Sequence, residues 1–302
     1  MAVKTPITEL DFDGVKAQLK EYLKTQTQFK DYNFEGSNLS AMLDVLAFNT
    51  FQNNFYTNMA LNEMFLDSAV MKNSIVSHAK ELNYIPRSRK SAKAVVRVTI
   101  TDAEAEESTI AIPTYTNFTA NYRGDIFNFV TNQTYVAKRT APGVYVADNV
   151  ELFEGQMLAS FQREGFIVDA DGVLRVFLSN ADVDTDSLVV FVDAEATEDQ
   201  NIFTRANSIF GVEPLDKVFY LDAYLDDRYA VYFGKNEFGL QPLEFEDVRV
   251  RYRVCSGAEA NGANVFSASF RDGAIIDVLT LQAASGGLER ESIESIRYFA
   301  PK

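Results

Sequence analysis

At 302 residues, with 47% hydrophobic and 13% aromatic content, the chain can bury a sizeable core spread over two or three domains, which excludes wholesale disorder. A formal net charge of −15 disfavours a nucleic-acid binder, whose phosphate affinity needs clustered Lys and Arg. It suits a protein that must not self-associate before meeting its partner. The single cysteine, Cys255, rules out an intrachain disulfide, fits a reducing compartment and reads as a buried strand residue.

The start, MAVKTPITELDFDG, lacks an apolar signal-peptide core, and no run of about 18 apolar residues occurs anywhere. A soluble, intracellular chain without membrane insertion is expected, and the sequons at Asn38, Asn117 and Asn132 are then chance matches. A first helix begins near Phe12, capped by Asp11 or Asp13, with Phe12, Val15, Leu19, Tyr22 and Leu23 as its apolar stripe. Residues 29–37 read as a loop.

The next helix, long and running from about Asn38 to Leu66, organises the chain. Its first half is apolar at Leu39, Met42, Leu43 and Leu46, which cluster on one face at 100° per residue. Its second half is apolar at Phe48, Phe51, Phe55, Met59 and Leu66, on roughly the opposite face. A helix resting on one core does not need that change of side; a helix held between two sets of neighbours does. Asn49 and Asn53 share one line, and Asn54, Asn58 and Asn62 another. Each asparagine costs about 0.5 kcal/mol in a helix unless it gains partners. A solvated polar face and an inter-chain bundle with register-setting asparagines both account for them, and the side change favours the bundle.

A third helix, starting at Asp67-Ser68, carries Met71, Ile75, Val76, Ala79 and Leu82 on one face and ends before Pro86. The only histidine, His78, shares that face and reads as a packed residue, since a zinc site has no second histidine to use. RSRKSAK (87–93) is the one basic cluster, read as solvated linker charge or as a salt-bridged seam between the helical arm and a β domain. From Lys93 the period becomes strand-like. The runs at 94–100, 118–122, 126–130, 133–138, 144–148, 174–179 and 187–193 imply an antiparallel sandwich or partial barrel. Strands at 229–233 and 248–254 flank a turn-rich segment with Gly234, Gly239 and Pro242. Gly286-Gly287 then breaks the chain before a helix that begins around Glu289 to Ser292 and carries Ile293, Ile296 and Phe299.

No catalytic site, cofactor or metal is expected. Asp182, Asp184, Asp186 and Asp193 match four positions of a calcium loop, but Ser187 replaces the glycine and strands flank the segment, so a solvated acidic turn is expected. Asp169 and Asp171-Gly172 read as a hairpin turn. No Gly-rich phosphate loop or Gly-x-Ser-x-Gly elbow occurs.

DVLAFNTFQNNFYTNMALNEMFLDSAVMKNSIVSHAKELNYIPRS (44–88) resembles the N-terminal helical region of the baseplate wedge subunits of T-even-type contractile-tailed phages, in the baseplate J-like family. Two further blocks are similar to that family. One is the strand–FG–turn–FG–x–x–P pattern (Phe233-Gly234, Phe238-Gly239, Pro242) with the turn from Gly257 through Asn261 to Gly262. The other is the GG–x–x–R–E–S–x–E–x–I–R–x–x–A–P run that contains Gly286, Gly287 and Arg290. Residues 95–225 carry no motif of the family.

The resemblance implies a structural component of a virion tail baseplate, assembled in the host cytoplasm and controlling sheath contraction. Its helices would bundle with a second copy and with other wedge proteins, and the sheath-initiating protein is a further candidate partner. Neither direct nucleic-acid contact nor an enzyme is implied. The expected fold class is α+β: a helical bundle arm (1–90), an antiparallel β-rich domain (91–200), a second β-rich region (201–285) and the start of a C-terminal helical segment (286–302). The alternative is a tail fibre or adhesin-like module recognising a cell-surface glycan, which leaves the helical arm unexplained. A β-fold hydrolase is a third reading.

Overall fold

The computed structural model of the chain describes residues 11–28, 37–162, 167–168, 172–192, 201–243 and 247–302. The 169–171 turn and Asp193 lie outside them. The chain divides into two compact units. One holds the described residues up to Tyr84 together with Ile293–Lys302; the other is Ile85–Ser292.

In the helical unit, α1 (Phe12–Lys24) starts where the sequence indicates, with Asp11 Oδ2 accepting the Gly14 N–H at 3.0 Å. Ser37 Oγ caps α2 (Asn38–Glu63) by accepting the Ser40 N–H at 3.0 Å. The two helices pack together, and Lys16 pairs with Asp44 at 2.5 Å. The third helix, α3 (Lys72–Glu81), begins later than Asp67-Ser68. The intervening turn has its own partners: Ser68 Oγ donates to the Asn62 carbonyl at 2.6 Å, and Glu63 accepts the N–H groups of Val70 at 2.8 Å and Met71 at 3.2 Å. Those bonds end α2 short of Leu66. The C-terminal helix α4 (Ile293–Phe299) packs on α3. Ala69, Ile75, Ala79, Ile296 and Ala300 form a small core there, with Leu66, Tyr84 and Ile293 against it. Arg297 fastens the turn by donating to the carbonyls of Leu66 and Ala69. The expected 286–302 segment therefore divides: Ile293 onward belongs to the helical unit because Ile296 is buried in its core.

The other unit is built of strands β1 (Lys93–Thr101), β2 (Thr109–Ile112), β3 (Asn117–Tyr122), β4 (Asp125–Thr131), β5 (Tyr135–Ala141), β6 (Val144–Glu154), β7 (Gln156–Gln162), β8 (Ile167–Val168), β9 (Leu174–Phe177), β10 (Val183–Val192), β11 (Ile202–Arg205), β12 (Val218–Ala223), β13 (Tyr229–Tyr232), β14 (Val248–Val254), β15 (Phe266–Ala268) and β16 (Ile275–Ser285). They form two eight-stranded sheets. The first runs β15-β3-β4-β6-β1-β16, with β5 also on β6 and β2 on β5. The second runs β7-β14-β10-β11-β12-β13-β9-β8 and is antiparallel except between β11 and β12.

Sheet membership cuts across the expected 91–200 and 201–285 segments, because β1 pairs with β16 from the far end of the chain. The core of the first sheet arises from strict alternation. Ala94, Val96, Val98 and Ile100 of β1 are fully buried beside Phe118, Phe129, Tyr145 and Leu152. Each large aliphatic chain so buried contributes about 1.5–3 kcal/mol.

Candidate assembly surface

The α2 side chains divide into two arcs. Ser40, Leu43, Ala47 and Asn58 are buried, while Leu39, Phe51, Asn54 and Asn62 are half-buried. At 100° per residue these lie within one sector, which is therefore the packed side of the helix. Met42 (63% exposed), Phe48 (53%) and Phe55 (50%) stand in solvent with Val45, Leu46, Tyr56 and Met59 on the remaining arc. The helix is apolar around most of its circumference, yet only one side is covered.

The expected change of side near Ala47 thus takes a different form. Of the first-half residues only Leu43 is buried, and Met42 and Leu46 join the aromatics on the open arc. The asparagine line 54/58/62 lies on the packed side, where Asn62 Nδ2 donates to the Asn58 carbonyl at 2.7 Å. Asn53 donates to Asn49 Oδ1 at 3.4 Å on the exposed side. Leu66 and Ile75 belong to the α3–α4 core, and Met71 is exposed. His78 hydrogen-bonds through Nε2 to the Glu63 carbonyl at 2.8 Å, a structural role for the lone histidine.

The motif residues of the β unit are joinery. Phe233 is buried edge-to-face against Phe203, with ring centroids 5.5 Å apart. A Cβ at Gly234 would overlap the Phe238 carbonyl oxygen, so only glycine closes this turn; Pro242 is buried, and Phe238 is exposed. Gly234→Ala should cost about 1–3 kcal/mol of stability, read as a lowered chemical-denaturation midpoint; an unchanged midpoint would refute the close-approach argument. Asn261 clamps Gly287 twice, Oδ1 accepting its N–H and Nδ2 donating to its carbonyl, both at 2.9 Å. A Cβ on Gly287 would overlap the Gly257 carbonyl oxygen. Gly239, Gly262 and Gly286 occupy left-handed backbone conformations. Arg290 donates to Asp227 at 2.7 Å and to Asp182.

Around these turns lies a seam whose basic run the sequence marks as a salt-bridge candidate, whereas Arg253, its buried centre, is not legible there. Arg253 of β14 is only 2% exposed. Its guanidinium donates to Ser91 Oγ at 3.1 Å, to Asp184 Oδ2 at 3.4 Å and to Asn132 Oδ1, and lies 4.8 Å from the Phe153 ring centroid. Asp184 also accepts from Ser91 Oγ at 2.5 Å, and Ser88 Oγ meets Thr185 Oγ1 at 2.9 Å. Burial lowers the Arg253 pKa, and Asp184 opposes that shift. Three of the four cations of the run 87–93 are ion-paired here. Arg89 pairs with Asp182 at 3.0 Å and Glu289 at 3.1 Å, Lys90 with Asp186 at 3.4 Å, and Lys93 with Glu151 at 2.7 Å.

The seam therefore joins the two sheets within the β unit. The basic run, expected as solvated linker charge or as a seam between the helical arm and the β domain, forms ion pairs within the β unit. The acidic residues Asp182, Asp184 and Asp186 are ion-paired, with Asp184 buried, Asp182 half-buried and Asp186 exposed. No group of three or more His, Cys, Asp or Glu among the described residues could hold a metal ion. Cys255 is buried, and burial pushes its thiol up to about 11, so it is protonated and unreactive at neutral pH.

Glu154, buried where β6 turns into β7, accepts the Ser256 N–H at 3.0 Å. Desolvation raises its pKa above the ordinary carboxylate value of 4.5. The folded state then binds its proton more tightly than the unfolded state, so its charge costs stability at neutral pH. That cost is relieved as pH falls through the raised value towards 4.5. Glu154→Gln should be at least as stable as the parent at neutral pH, with the difference shrinking as pH falls through that window. A neutral-pH loss that widens on acidification would contradict this.

Similarity to known proteins is strongest in the helical unit. Residues 11–84 match the family model described as the helical domain of gp6-like baseplate wedge proteins. The chain is also 28% identical over 95% of its length to baseplate wedge protein gp6 of Enterobacteria phage T4, of which it spans about half (46%). A solved anti-feeding prophage baseplate chain matches across 100% of this chain and 61% of its own, at 11% identity and a TM-score of 0.32, a likeness too weak to bear on the fold. No described helix is long and apolar enough to cross a membrane.

Proposed function

We propose that this chain is a structural component of a contractile phage tail baseplate and acts by assembly rather than catalysis. The observation that carries the reading is the open apolar arc of α2, whose Met42, Phe48, Phe55 and Tyr56 face water in a single chain. An apolar strip of this kind on a folded protein marks an interface. The likeness of residues 11–84 to the wedge helical domain supports a wedge role, and the helices then bundle with a second copy of the chain and with other wedge proteins. The two-sheet β unit, with the buried Arg253–Asp184 pair between its strands, is the body that such a bundle carries. Rings of wedges so built hold the sheath until the interfaces repack. The test is co-expression with wedge partners. A discrete hetero-oligomer in which α2 amides are protected supports the reading, and a monomer indifferent to partners refutes it.

A further inference from the structure

We draw no further inference here: the strongest candidate, the cleft of the β unit lined by Arg253, Lys90, Lys93, Glu151, Asp184 and Asp186, holds three cationic and three anionic side chains that pair with one another, so nothing in the structure selects a ligand to occupy it.

Discussion

Arg253→Met should destabilise the chain by about 3–5 kcal/mol, the largest single-site effect expected in the β unit. The change leaves Asp184 buried and charged beside Ser91 with no cation, and Asn132 loses its donor. Adding Asp184→Asn removes the orphaned charge and keeps one acceptor oxygen, where the carboxylate offered one to the Ser91 N–H and the other to the Asp186 N–H. The double variant should therefore recover a substantial part of the loss, on the order of 1–3 kcal/mol, and the coupling would be read from a double-mutant cycle of denaturation midpoints. Additive losses would mean that the pair contributes by packing alone.

Phe48→Asp/Phe55→Asp should abolish assembly with partners while leaving the thermal transition of the isolated chain within about 0.5 kcal/mol of the parent. Both rings are already solvated, so the charges meet no buried surface until a partner arrives. Phe51 makes the useful contrast. It is half-buried on the packed side of α2, and an aspartate there should damage the helical unit itself. Loss of assembly from Phe51→Asp alone, with Phe48→Asp/Phe55→Asp assembling normally, would place the interface on the wrong arc.

Local rules made much of the fold legible. The Asp11 cap, the spacing of apolar residues in α2 and α3, and the period-2 runs of β1, β3, β4, β5, β6, β9 and β10 all act within a few residues of one another. The long β16 escaped because it is apolar on both faces. Ile276 and Val278 pack inward while Ile275, Leu279 and Leu281 face out, so no alternation marks it. The centre of the seam escaped for a different reason. In RVRYRV (249–254) the alternation reads Arg253 as outward, and its partners Ser91, Asn132 and Asp184 come from distant strands and turns. The same remoteness hid the cations that neutralise Asp182 and Asp186. On α2, sequence spacing identified a helix with more apolar surface than one neighbour needs, but only the packing against α1 decides which residues remain for a partner.

The open arc of α2 as an inter-chain surface is tested most directly by mass from light-scattering chromatography of the full chain, alone and co-expressed with wedge proteins. The expected result is a discrete hetero-oligomer, or a chain soluble only with those partners, and a monomer when Phe48 and Phe55 are both replaced by aspartate. A parent chain that stays monomeric and well behaved whether or not the partners are present would contradict an inter-chain role for that arc.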